Sequence, residues 1–271
     1  MLRKKEQIMS NTPNPKADTF RKLHQAGQPL VLVNAWDAGS AAAIARAGAS
    51  AIATGSWAVA AAHGYQDGEH LPFELALDNL TRIAATVDLP LSIDIERGYG
   101  ESPYDAAETV ARTAHAGAVG CNVEDSLAAT GGLRKIDEHV ERLRAMRAAA
   151  DQAGAGYFIN ARTDVFFQGS AGRHGDLVDS ALDRARAYAD AGADGIFMPG
   201  LLDLSLIRRI AEKSPLPLNI MIAEGAPNLR ELAAAGVSRI SHGPGPYLSA
   251  MRAVESVAQA VFAQIGSLRV A

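Results

Sequence analysis

Apolar positions along this chain follow two alternating rhythms. Short runs such as Leu30-Val31-Leu32-Val33-Asn34 are almost continuously apolar, as in strands covered on both faces, and longer stretches with helical spacing follow them. After a short helix expected over residues 16–25, the spacing predicts strands at 30–34, 51–54, 91–95, 120–124, 157–161, 195–198, 218–222 and 237–241. The helices paired with them are expected at 38–46, 73–87, from about 102, then 136–150, 176–189, 204–212, 228–235 and 247–264. Asp37 is placed to cap the first of these, and Ser102-Pro103 supplies a cap followed by proline at the first helical position. The return joints repeat: Arg46-Ala47-Gly48-Ala49, His115-Ala116-Gly117-Ala118, Asp190-Ala191-Gly192-Ala193 and Ala234-Ala235-Gly236-Val237 each end a helix and enter a strand at once. Eight strand-then-helix units, with tight joints at one end and longer loops at the other, predict a (β/α)8 TIM barrel with its chemistry on the longer loops. A doubly wound open sheet is the alternative. Against it, the first strand runs into NAWDAGSAA, with no glycine-rich dinucleotide fingerprint.

Composition narrows the function classes. A 271-residue chain that is 48% hydrophobic can bury a large core, and a formal net charge of −4 gives no footprint for nucleic acid or an anionic membrane. A single cysteine allows no intrachain disulfide and favours a reducing compartment. The opening MLRKKEQIMSNTPNPK is basic and then Asn/Pro-rich, without the apolar stretch of a secretory signal. No apolar run reaches membrane-spanning length. Residues 1–15 are therefore expected to be a disordered lead-in, and 16–271 one barrel domain of a soluble, cytoplasmic protein.

Candidate chemistry gathers where strands end. In Leu91 to Gly100, read LSIDIERGYG, apolar residues alternate with Ser92, Asp94 and Glu96, so two acids share one side of a strand just before a sharp turn. Glu124 and Asp125 close the next strand, and Arg162 closes the one after it. Asn34, Gly55-Ser56-Trp57, Asn160, Asn219 and His242 fall at other strand ends. Several acids around one axis repel each other unless a cation sits among them. With no His or Cys cluster, the donors suit Mg²⁺, or Mn²⁺, better than zinc. Arg162 is suited to grip a substrate carboxylate or phosphonate by two parallel hydrogen bonds. Together these residues describe a site for a small dianionic acid. His242 is a candidate general acid/base, Cys121 reads as core, and Arg142, Arg144 and Arg147 read as the solvated face of a helix.

SIDIERGYG, GCNVEDS and FINARTD, with ATGSWAVAAAHGYQD upstream, occur in this order from about Val33 to Met198. This set resembles the phosphoenolpyruvate mutase/isocitrate lyase superfamily, whose members carry an acid-x-acid strand end, then Glu-Asp, then Ala-Arg-x-acid. The resemblance implies that Asp94 ligates Mg²⁺ directly. Glu96 and Glu124 would hold metal-bound waters, and Asp67 would join that shell from the strand-two loop. It implies that backbone N–H groups around Gly55, Ser56 and Trp57, with Arg162, bind an α-keto acid carboxylate. Arg162, Glu124 and Asp67 are thus the expected catalytic groups. It further implies C–C or P–C bond cleavage beside an α-keto acid through an enolpyruvate-type oxyanion. Homodimers or homotetramers that exchange the C-terminal helix are expected. One segment departs from the pattern: SLAATGGLRKIDEH stands where isocitrate- and methylisocitrate-cleaving relatives carry a Lys-Lys/Arg-Cys-Gly-His loop, and it has no cysteine. Decarboxylase or retro-aldol lyase activity on a small 2-oxo or 2-hydroxy acid is the resulting expectation. Phosphonopyruvate-type chemistry and a non-catalytic α-keto acid binding protein are the alternatives.

Overall fold

The structure, a computed structural model, describes residues 14–128, 130–154 and 156–268. The strands are β1 (Leu30–Leu32), β2 (Asn34–Ala35), β3 (Ile52–Thr54), β4 (Leu91–Asp94) and β5 (Gly120–Glu124). They continue with β6 (Phe158–Arg162), β7 (Gly195–Phe197), β8 (Leu218–Met221) and β9 (Arg239–Ser241). The helices are α1 (Pro15–Lys22), α2 (Ala38–Arg46), α3 (Ser56–Ala62), α4 (Phe73–Thr86) and α5 (Pro103–His115). After them come α6 (Ile136–Ala153), α7 (His174–Asp190), α8 (Leu204–Lys213), α9 (Leu229–Ala234) and α10 (Gly245–Leu268).

All strand pairs are parallel, in the order β1-β9-β8-β7-β6-β5-β4-β3-β2. The expected first strand is split at Val33: its first half pairs with β9 and its second with β3, so one segment closes the sheet on itself. The (β/α)8 TIM barrel expected from the sequence is therefore the fold. Its tight return joints have the expected cause. Gly48, Gly117, Gly192 and Gly236 all adopt positive φ, between 88° and 104°, where a side chain would be strained. Asp37 and Ser102 cap α2 and α5 with full capping boxes, through Ser40 and Asp105 respectively.

Two cores result. The larger lies between strands and helices and is built from residues such as Ile52, Ile93, Val123, Ile159, Ile196 and Ile240. The smaller fills the N-terminal end of the barrel, where Phe20 of α1 packs among Leu30, Leu32, Ala53 and Phe158 as a plug. Sequence and structure differ at α1, which begins at Pro15 under an Asn14 cap and ends at Lys22, before a short turn bridging Gln25 and Gln28. Residues 1–13 of the expected lead-in lie outside the described residues. Helix α3 was expected as loop. It has only 7 residues and no capping side chain, so nothing local announces it. Among the described residues, no helix is long and apolar enough to cross a membrane.

Candidate active site

The C-terminal strand ends enclose a cavity of about 200 Å³, and six of the expected residues line it: Gly55, Ser56, Trp57, Asp67, Asp94 and Arg162. Asn34, Asn122, Phe197, Met221, Ser241 and Pro244 complete much of the wall. Charged, polar and apolar side chains thus share the wall, with Phe197 directly beside Arg162. Trp57 stands half exposed at the rim, edge-on to Tyr247.

Asp94 ends β4. Its Oδ2 accepts from the Ser56 N–H at 3.2 Å, and its Oδ1 accepts from the Glu96 N–H at 3.2 Å. Burial raises its pKa, Arg162 draws it back and Glu124 raises it again. Asp67 is likewise pushed up by burial, partly offset by the Ser56 hydroxyl. Glu96 is pushed up to about 8 by burial and then by Asp67 and Asp94. None of these three acids has a cationic partner within ion-pair distance among the described residues. An acid cluster in this state suits a hard divalent cation.

The arrangement also limits how such an ion is held. Among the described residues, no three acidic, histidine or cysteine side chains converge closely enough to ligate a metal together. Glu96 Oε2 accepts from the backbone N–H groups of Gly68 and Glu69, and its Oε1 faces the Tyr99 hydroxyl at 3.4 Å. Glu124 Oε1 accepts from Ser126 at 2.6 Å, and its Oε2 lies 2.8 Å from Arg162. Neither Glu96 nor Glu124 lines the cavity. One direct carboxylate backed by others acting through water fits Mg²⁺, which gives up its waters reluctantly.

Arg162 ends β6 beneath Phe197, its guanidinium carbon 5.9 Å from the ring centre. Its Nε and Nη2 donate to the two oxygens of Asp164 at 2.6 and 2.9 Å. The edge expected to grip substrate is therefore already occupied. Nη1 in turn lies 2.8 Å from Glu124 Oε2, so all three nitrogens face a carboxylate and at most about two of the five N–H groups remain for substrate. Burial opposes its charge, but Glu124 and Asp164 hold its pKa above the ordinary arginine value. At the mouth of α3, the Gly55 N–H goes to Ala35 at 3.4 Å and the Ser56 N–H to Asp94. Among the described residues nothing accepts from the Trp57 N–H, as is usual for first-turn helix donors.

The loops that carry the acids are held under backbone strain. Glu69, Glu96 and Tyr99 are the non-glycine residues at positive φ among those described, and all three belong to the two loops meeting at this site. Arg97 ties these loops together, donating to Gly68 O at 2.7 Å and to Glu69. Arg142 corrects an expectation. It is 1% exposed rather than solvated, and it donates to the carbonyls of Arg97, Gly100, Glu101 and Ser102. Helical spacing could not show this, because a long arginine stem packs along apolar surface while its head serves a distant loop.

Other candidates lie elsewhere. Asp125 is fully buried behind β5, bonded to Arg184, Tyr188 and the Asp164 N–H. His242 lines a neighbouring groove with Glu224 and Arg252, outside the central cavity. Cys121 is buried as expected, its thiol pushed up to about 12 by burial. The cysteine-free segment after β5 folds back on itself through a Ser126–Leu133 bridge and sends no described side chain into the cavity.

Comparison with known proteins places these features in a wider set. The family described as Phosphoenolpyruvate phosphomutase matches residues 20–262. A 2-methylisocitrate lyase of Salmonella typhimurium is 33% identical over 255 residues, covering 90% of this chain and 82% of its own. A Burkholderia cenocepacia J2315 protein solved under the description of a phosphonomutase is 55% identical, with a TM-score of 0.88 over 91% of this chain and 100% of its own. A phosphonopyruvate hydrolase solved with oxalate and Mg²⁺ is 25% identical, with a TM-score of 0.77 over 92% of this chain and 86% of its own.

Proposed function

The chain belongs to the phosphoenolpyruvate phosphomutase family, as an enzyme of the carbon–carbon lyase type in the isocitrate lyase/phosphoenolpyruvate mutase superfamily, and on that premise we propose a Mg²⁺-dependent lyase. Its substrate is a small 2-oxo or 2-hydroxy di- or tricarboxylic acid, cleaved at a C–C bond to leave an enolpyruvate-type oxyanion. The observation that carries this reading is the convergence of Asp94, Arg162 and the mouth of α3 on one cavity of about 200 Å³, a volume suited to a small acid.

Each residue has a role set by its surroundings. Asp94 is the direct metal ligand, since it alone of the raised acids both ends a strand and opens to the cavity beside Asp67. Glu96, Glu124 and Asp67 act through ordered water. Mg²⁺, when bound, supplies Lewis-acid stabilisation to an oxygen that gains negative charge. Arg162 holds the substrate carboxylate with the N–H groups that Glu124 and Asp164 leave free, those two carboxylates fixing its plane. The Trp57 N–H, with Ser56 once its own N–H is released from Asp94, adds backbone donors. Phe197, Met221 and Pro244 give the cavity apolar wall that excludes water. The folded-back segment after β5 supplies no acid, which favours decarboxylation or retro-aldol cleavage over reactions that need a dedicated cysteine there.

The 55% identity to a protein described as a phosphonomutase supports a second reading, cleavage or rearrangement of a P–C bond. The assembly reading is an oligomer in which α10 meets a second copy. Val254, Val257, Val261 and Phe262, spaced along one helix face, are each about half to two-thirds exposed. The test of function is turnover with Mg²⁺ of oxaloacetate, 2-methylisocitrate and phosphonopyruvate, followed by keto-acid release. Metal-dependent product from either carboxylate supports the lyase, product from phosphonopyruvate alone supports the second reading, and no product from any of them contradicts both.

A further inference from the structure

Beneath the cavity, a layer of polar side chains crosses the barrel interior. Asn122 of β5, Asn160 of β6, Asn219 of β8 and Arg239 of β9 are all at most 4% exposed. Asn122 Oδ1 accepts from Arg239 Nη2 at 3.1 Å and from Asn160 Nδ2 at 2.9 Å, and Asn160 Nδ2 also donates to Asn219 Oδ1 at 3.1 Å. An arginine only donates, so the oxygen of Asn122 must face Arg239 and its nitrogen must face away. The opposite direction is the cavity, which Asn122 lines.

The amide protons of Asn122 therefore have a destination but no protein acceptor. Nδ2 bonds to no described atom, and it is not among the buried polar atoms sealed off without a partner. Neighbouring polar groups on the same wall are already engaged. Asn34 donates to Thr54 O and accepts from the His242 and Gly243 N–H groups, while Ser241 bonds to Asn219. Arg239 itself is fully buried, makes no ion pair among the described residues, and leaves Nε and Nη1 unbonded. A buried guanidinium without a counter-ion is costly to keep. Here it locks the amide and polarises its N–H groups toward the cavity.

We propose that Asn122 is a further substrate-binding residue, donating from Nδ2 to a carboxylate or keto oxygen of the bound acid, with Arg239 as the positioning residue that fixes its orientation. This rests on the reading of the cavity as an α-keto acid site. It adds a neutral donor on the cavity floor, from the strand next to the one that carries Arg162.

The test uses oxalate as probe, titrated calorimetrically in Mg²⁺ into the wild-type chain, Asn122→Ala and Asn122→Ser. Alongside it, the side-chain amide signals of ¹⁵N-labelled wild-type protein are followed, Asn122 being identified by the pair missing from Asn122→Ala. Saturating oxalate should move that pair downfield. Both variants should bind oxalate about tenfold more weakly or worse, the loss expected for a hydrogen bond to a charged group, with Mn²⁺ affinity unchanged. An Asn122 pair that stays in place at saturation overturns the inference while leaving the α-keto acid reading standing, and should Asn122→Ala not fold, the near-isosteric Asn122→Asp makes the same assignment. A wild-type chain that binds no oxalate in Mg²⁺ overturns the underlying reading, and this inference with it.

Discussion

The two ends of this barrel are built by the same strands and filled on opposite principles. At the N-terminal end, Phe20, Leu30, Leu32 and Phe158 interlock, and His24 stacks on Phe158 with its pKa lowered to about 3 by burial and by Arg239. That end is closed by apolar packing around a neutral imidazole. At the C-terminal end, Asp67, Asp94 and Glu96 are crowded together with their pKa values raised, and Arg162 is braced by two carboxylates. The first arrangement maximises stability. The second stores electrostatic repulsion that a dication would relieve, which is the physical content of a preorganised site. Between them lies the amide layer around Arg239.

Substitutions should separate the two ends cleanly. Asp94→Asn should cost about 10³-fold or more in Mg²⁺-dependent kcat/KM, since the proposed function makes Asp94 the one direct carboxylate. The thermal midpoint should hold or rise, because a buried repelling charge is gone; activity assay and calorimetric melting of one variant read both. Phe20→Ala should do the reverse, losing about 3–5 kcal/mol of stability in denaturant titration through an unfilled cavity. Its kcat/KM, measured below the new midpoint, should stay near wild type. Arg162→Lys should lose about 10²-fold in kcat/KM, chiefly through KM, because a single ammonium cannot span Asp164, Glu124 and a substrate carboxylate together. A Lys variant with wild-type KM would break the comparison by showing that substrate does not reach the braced arginine.

The smallest effect concerns pH. Glu96 is raised from 4.5 to about 8 in the folded chain, so between those values the folded state binds more protons than the unfolded. Its contribution to stability is thus fully present below about 4.5 and is lost as pH rises through about 8. Metal-free protein should melt at a lower temperature at alkaline pH than at pH 6. Mg²⁺ must displace the same proton, so its affinity should rise with pH over this range by up to about tenfold per unit. Melting curves with and without Mg²⁺ across the series would show the gap closing as metal is added.

The sequence made the charged end legible and most of its bracing invisible. Alternation through Ser92, Asp94 and Glu96 placed two acids at a strand end, and Ala161-Arg162 placed the arginine, because period-two patterning survives where a strand leaves the core. The strand split at Val33 was hidden, since barrel strands are apolar on both faces and their runs carry no mark of where pairing changes partner. For the same reason Asn122 and Arg239 read as strand residues with no stated side. Arg142 looked solvated because charge on a helix reports the side-chain head and not the loop carbonyls it reaches 40 to 45 residues away in sequence. The partners of Arg162 were the other gap. Asp164 lies two residues on, yet only the folded loop shows it occupying the guanidinium edge.

The most direct measurement is calorimetric titration of oxalate into the metal-free chain, into the chain with Mg²⁺, and into Asp94→Ala with Mg²⁺. The account predicts binding that requires Mg²⁺ and disappears in Asp94→Ala while that variant remains folded by circular dichroism. Equal binding with and without the metal, or undiminished binding in Asp94→Ala, would contradict it.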